Sequence, residues 1–132
     1  MNENNHQARL GISELDQAHQ VLGDALKQAA NADDANFPQS FMALVALLEH
    51  DFHLEERLME DYGLPSLHPH REQHAHVLSG LHHTQPQVMS GDLKAGRHAL
   101  ALLPQWLEIH SATLDQALAA ELEIAKASAS AA

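Results

Sequence analysis

The stretch FMALVALLEHDFHLEERLM, residues 41–59, decides the fold. Phe41, Leu44, Val45, Leu48, Phe52, Leu58 and Met59 recur with the period of one buried face of an amphipathic helix. Pro38 suits the first turn of that helix, and Gly63 with Pro65 just beyond it closes the far end. A helix apolar on one face needs partners, and the flanking sequence supplies three. Upstream, Leu15, His19, Leu22 and Leu26 step by four, three and four behind Ser13, a candidate cap, and residues 31–36 read as a loop. Downstream, Leu67, His70, His74, Val77, Leu78 and Leu81 follow a second candidate cap, Ser66; Pro69 falls in the tolerated first turn and Pro86 is expected to kink or end the helix. After the turn at Ser90, Gly91 and Asp92, a fourth helix carries Leu100, Leu103, Trp106, His110, Leu114 and Leu118, with a kink expected at Pro104. The pattern contains no strand signal and no internal repeat. The expectation is an all-α, antiparallel up-down-up-down four-helix bundle over residues 12–126, with an N-terminal arm at 1–11 and a flexible tail at 127–132.

Composition narrows the chemistry. The 132 residues suffice for one domain with a contiguous core, and the absence of cysteine removes disulfides, thiolate zinc sites and iron–sulfur clusters. A formal net charge of −11 argues against a nucleic-acid partner. The longest apolar run, Phe41 to Leu48, is far short of a membrane span, and the polar start MNENNHQARL lacks the apolar core of a secretion signal; a cytoplasmic protein with no membrane partner is expected. A monomer or weak homo-oligomer is expected as well. One number is out of line: twelve histidines against seven lysines plus arginines, spread from His6 to His110 rather than clustered as a tag. Metal binding or pH sensing fits that excess, although most of the twelve read as solvated surface residues.

Position separates the informative histidines from the rest. His19, His70, His74 and His110 sit on the apolar stripes of three different helices. Leaving them unpartnered there costs about 1–3 kcal/mol each, and a metal ion is the simplest common partner. His70 and His74, four apart, lie one turn from each other and can converge on one ion. Glu55 shares the inward face with Phe52 and Met59, where a carboxylate needs a cation, whereas Glu56 reads as a surface residue. His110 and Asp115 are five apart, about 140° round an ideal helix, so they share a site only if the helix is locally overwound into a π-bulge. Taken alone, Asp115 reads as a surface residue.

With these residues in view, the chain resembles the hemerythrin family, in particular its single-domain bacterial members, over residues 12 to 118. The family supplies its ligands in the contexts (I/L)D-x-x-H, HFxxEE followed by LM, HxxxH, and WLxxH with an Asp beyond; here these stand as LDQAH ending at His19, DFHLEERLM at 51–59, HREQH at 70–74 and WLEIHSATLD at 106–115. The resemblance implies two non-haem iron ions joined by an oxo or hydroxo bridge. His70, His74 and His110 would hold one iron and His19 the other, with Glu55 and Asp115 bridging them and dioxygen binding at the second iron. It also implies that Trp106 walls the pocket and that Asp115 faces inward despite its spacing.

The chain departs from the family at one ligand. Alignment through Phe52 and Glu55 puts Asp51 where the family has a histidine. Asp51 lies one turn from Glu55, and His50 points about 100° away, so Asp51 is favoured as the seventh ligand, with His50 through a bulge as the alternative. A vacant position or a single-metal or empty site also stays open. An anionic ligand there stabilises ferric over ferrous iron and works against reversible oxygen carriage. Ser111 follows His110 where many relatives carry an apolar residue, and its hydroxyl could admit water to the pocket. The leading expectation is a di-iron oxygen-binding protein for storage, delivery or sensing, rather than an enzyme. An enzyme acting on oxygen or peroxide, a ferroxidase, and a metal-free helical interaction module are the alternatives. His53, Arg57, His76, His82 and His83 are expected on the solvent side.

Overall fold

The computed structural model describes residues 12–131, and every regular element among them is helical. The order is α1 (Ser13–Asn31), α2 (Phe37–Tyr62), α3 (Leu67–Met89), α4 (Lys94–His110), a π-helical segment (Ser111–Asp115) and α5 (Gln116–Ala131). The last three are contiguous in sequence, so the chain forms four rods. α1 packs on α2, α2 on α3 and α3 on α4, and α1 also meets α4, which closes the ring, while α5 packs on α2. The arm expected at 1–11 lies outside the described residues. α5 continues as helix to Ala131, through most of the segment expected as a tail. Among the described residues no helix is long and apolar enough to cross a membrane.

Local chemistry accounts for both ends of α2. Pro38 sits in the first turn of α2, where its missing N–H costs nothing. Gly63 ends α2 at φ 60°, with its N–H bonded to the carbonyl of Glu60 and the N–H of Leu64 to that of Met59, and Leu64 and Met59 pack together across the turn. The two expected serine caps do not form. Ser13 is the first helical residue of α1, preceded by the extended Ile12. Ser66 precedes α3, but its hydroxyl donates to Glu121 of α5 at 2.8 Å and so ties two rods together rather than capping its own. Pro86 does not end α3, which runs three residues further to Met89.

The apolar interior falls into two parts. The larger contains Leu22, Ala29, Phe37, Phe41, Leu44, Val45, Leu48, Phe52, Leu81, Val88, Leu100, Leu103 and Leu107. The smaller contains Leu15, Met59, Leu64, Leu118 and Leu122. The buried polar residues belong to the heights of the rods between these two cores: His19 lies between Leu15 and Leu22, Glu55 between Phe52 and Met59, and His110 and Asp115 between Leu107 and Leu118. A polar layer thus separates two greasy ones.

Candidate metal centre

His19 from α1, Asp51 and Glu55 from α2, His70 and His74 from α3, His110 from α4 and Asp115 from the π segment are all buried. Four rods contribute, because on each a polar residue replaces an apolar one in the inward stripe. The π segment brings Asp115 to the same side as His110. Leu103, Leu107 and His110 step by four and three, and Asp115, Leu118 and Leu122 by three and four, so the five-residue step between His110 and Asp115 carries one residue too many for an α-helix. Widening the turn at Ser111–Asp115 absorbs it.

The groups converge on two neighbouring points. His70, His74 and His110 form a triangle with ring centroids 5.0 to 5.2 Å apart, and their ligating atoms lie with one from Glu55 within 4.8 Å of one another. His19, Glu55 and Asp115 form a second such group. Each shared carboxylate divides its oxygens between the two. Glu55 Oε1 lies 3.2 Å from His74 Nε2 and 3.6 Å from His70 Nε2, while Oε2 lies 3.0 Å from His19 Nε2. Asp115 Oδ1 lies 2.9 Å from His70 Nε2 and 3.1 Å from His110 Nε2, while Oδ2 faces His19 at 3.7 Å. Asp51 Oδ2 is 3.5 Å from His19 Nε2. His50, by contrast, is exposed.

The donor set fits a cation. Glu55 Oε1 and Asp51 Oδ1 are buried with no hydrogen bond from any protein group, a cost of about 1–3 kcal/mol each unless something else supplies positive charge. His74 Nε2 and His110 Nε2 face each other at 3.2 Å, close enough to share one proton or one ion. Imidazole and carboxylate together suit a transition metal of borderline hardness, iron included.

Electrostatics shows what balances the carboxylates without an ion. Burial disfavours charge on His19, but its hydrogen bond to Glu55 and the charges of Asp51, Glu55 and Asp115 outweigh burial and lift its pKa to about 9. His110 is likewise opposed by burial, yet the carboxylates of Asp115 and Glu55 facing its ring raise it to about 9. Burial pushes the Asp51 carboxyl up, as does the charge of Glu55, against the pull of His19, to about 7. Burial also works against Glu55, but the imidazoles of His110, His19 and His74 facing it hold its carboxyl well below the usual range. Protons on imidazoles therefore occupy the place a cation would take, and metal uptake must release them.

Around this centre lies a layer that sequence reading found only in part. Trp106 stacks on His110 at 4.7 Å with 10° between the planes, so it meets the three-histidine side, and Phe52 stacks on His74 at 3.8 Å. Ser111 is buried and its hydroxyl donates to Asp115 Oδ2 at 3.2 Å. Gln73 Oε1 accepts from His110 Nδ1 at 3.1 Å, a contact with no signal in the periodicity because Gln73 lies off the inward stripe. Glu56 is not the free surface residue expected: it is half-buried and its Oε2 lies 2.7 Å from His74 Nδ1. Its side chain reaches sideways from α2 to α3, a direction that helical spacing does not encode. His53, Arg57, His76, His82 and His83 are exposed, and His82 pairs with Glu49 at 2.6 Å. Pro69, Glu72, Gln73, His76, Trp106, Ile109 and His110 line an open cleft of about 380 Å³ on the outer side of the triangle.

No family model and no solved structure matches the chain. A curated relative does: the bacteriohemerythrin of Ralstonia nicotianae is 31% identical over 107 residues, 81% of this chain and 78% of the relative. The aligned length takes in most of the helical part of the molecule, where a buried cluster of histidines and carboxylates from four rods is already on view. On that extent and identity, the chain belongs to the hemerythrin family.

Proposed function

We propose that this protein is a non-haem di-iron protein that binds dioxygen, built as an antiparallel up-down-up-down four-helix bundle over residues 12–126. The short connections after α1, α2 and α3 support the antiparallel order, since neighbouring rods joined by a few residues must reverse direction. The observation that carries the di-iron reading is the division of Glu55 and Asp115, each with one oxygen toward the His70, His74 and His110 triangle and the other toward His19. Carboxylates so arranged would serve two ions at once, and a single ion would leave one half of each unused.

When bound, the iron pair supplies the site for dioxygen and the electrons that reduce it. The protein's own groups do the rest. The triangle and the two shared carboxylates would hold one iron. His19 and Asp51 would hold the other with fewer protein ligands, which would leave room for an exogenous one. The two apolar cores above and below keep water from the polar layer. Ser111 donates to Asp115 Oδ2 and so draws off part of that carboxylate's charge on the His19 side.

Asp51 favours a second reading, a redox enzyme of the same metal chemistry. Its buried carboxylate beside His19 makes that side more anionic than an imidazole would and favours the ferric state. Metal analysis with optical spectra of the reduced, air-exposed and oxidised protein tests the first reading. Two irons per chain and a spectrum that returns on removal of oxygen are expected. Multiple turnovers of oxygen or peroxide per chain would support the enzyme instead, and a colourless protein that takes up no iron would end both.

A further inference from the structure

Adjacent glutamates of α2 clamp the two nitrogens of one imidazole. Glu55 Oε1 lies 3.2 Å from His74 Nε2 and Glu56 Oε2 lies 2.7 Å from His74 Nδ1. A carboxylate only accepts, so once an ion at the centre takes the Nε2 lone pair, the ring keeps its hydrogen on Nδ1, pointed to Glu56. Phe52, lying flat on the ring at 3.8 Å and 5°, opposes rotation away from this setting. Arg71 holds Glu56 from outside, with Nε 3.5 Å from Glu56 Oε1 and its far end bonded to Glu60 at 2.7 Å.

The other imidazoles are treated differently. His110 Nδ1 meets a neutral amide, Gln73, and the Nδ1 atoms of His70 and His19 are buried without a hydrogen-bond partner. Only His74 is backed by an anion. A hydrogen bond to a carboxylate gives an imidazole imidazolate character and makes it a stronger donor to a metal.

Resting on the di-iron reading, we propose that Glu56 is a positioning residue that sets which nitrogen of His74 faces the centre and makes His74 the strongest electron donor of the three clustered imidazoles. Glu56 thereby biases the three-histidine iron toward the ferric state from outside the ligand set.

The test compares wild type with Glu56→Gln, which keeps an acceptor but not the charge, and Glu56→Ala, which removes both. Glu49→Gln, at an exposed pair with His82, controls for loss of one negative charge elsewhere. Anaerobic competition for Fe(II) against a chelator is expected to show about tenfold to a hundredfold weaker binding in Glu56→Ala and a smaller loss in Glu56→Gln. The midpoint potential of the iron-loaded protein is expected to rise in both Glu56 variants and to stay in place in Glu49→Gln. Should Glu56→Ala fail to fold, judged by helix content from circular dichroism, Glu56→Gln alone decides through its potential. Iron-loaded wild type with Glu56→Gln matching it in both affinity and potential overturns this inference alone, as does an equal shift in Glu49→Gln. A wild type that holds no iron overturns the di-iron reading and this inference with it.

Discussion

Asp51 and His50 stand side by side on α2, one buried against His19 and the other in solvent. Asp51→Ala is expected to lower the iron content per chain and His50→Ala to leave it at the wild-type value, with metal analysis of the purified proteins as the check. Asp51→His, which restores the family's imidazole, is expected to slow air oxidation of the reduced iron-loaded protein, followed optically; an unchanged rate would remove Asp51 from the account of redox behaviour. The titrating groups make a separate prediction for the metal-free chain. His19 and His110 have folded-state values near 9 against 6.5 unfolded, so the stability they contribute is complete below about pH 6.5 and disappears as the pH rises to about 9. Asp51, raised to about 7, favours folding when protonated, and its contribution is lost between about pH 4 and 7. Glu55 has the opposite sign, stabilising above the normal carboxylate range and failing as the pH falls through its lowered value. The melting temperature of the metal-free chain should therefore fall between pH 7 and pH 9; a flat or rising profile in calorimetry would contradict these shifts.

At the level of elements, the π segment between α4 and α5 carries the argument. It absorbs one residue, so deletion of the exposed Ala112 is expected to restore an unbroken α-helix with Leu118 and Leu122 still facing the core. The deletion should raise the melting temperature of the metal-free chain while weakening iron binding, because Asp115 then approaches at a different angle. A deletion that unfolds the chain would show that the π segment is structural rather than functional. Near the other end of α4, Gly96 allows close approach: a Cβ there would lie 2.5 Å from Val88 and 3.0 Å from the Phe37 ring, both fully buried. Gly96→Ala gains helix propensity but overpacks this seam, and a net loss of about 1–3 kcal/mol is expected in denaturant titration. Arg97, the next residue, lies over the Phe37 ring at 4.3 Å and bonds the carbonyl of Ala32, which pins the first loop to the same seam.

For the molecule as a whole, the polar layer divides the core unequally. The small core of Leu15, Met59, Leu64, Leu118 and Leu122 is held to the rest through the layer of histidines and carboxylates. Ions that bind the folded layer stabilise it, and their removal should cost most on the smaller side. Hydrogen exchange after chelation is expected to quicken more in α5 and at the start of α1 than in Phe41–Leu48; a uniform change would mean that the two cores unfold as one unit.

Much of this protein was legible in residue order. The stripes around Phe41–Met59, Leu15–Leu26, Leu67–Leu81 and Leu100–Leu118 specified four amphipathic rods, because burial follows the 3.6-residue period wherever a rod has one partnered side. The polar interruptions at His19, Glu55, His70, His74 and His110 marked where that side turns chemical, whereas Asp115 alone read as a surface residue and only the family resemblance turned it inward. Other features became visible only in three dimensions. Neither the division of Glu55 and Asp115 between two groups, nor the reach of Glu56 to His74, nor the tie of Ser66 to Glu121 follows from spacing. Each depends on a side-chain rotamer choosing a partner on another rod, and periodicity along one helix says which way a residue points but not what stands opposite it.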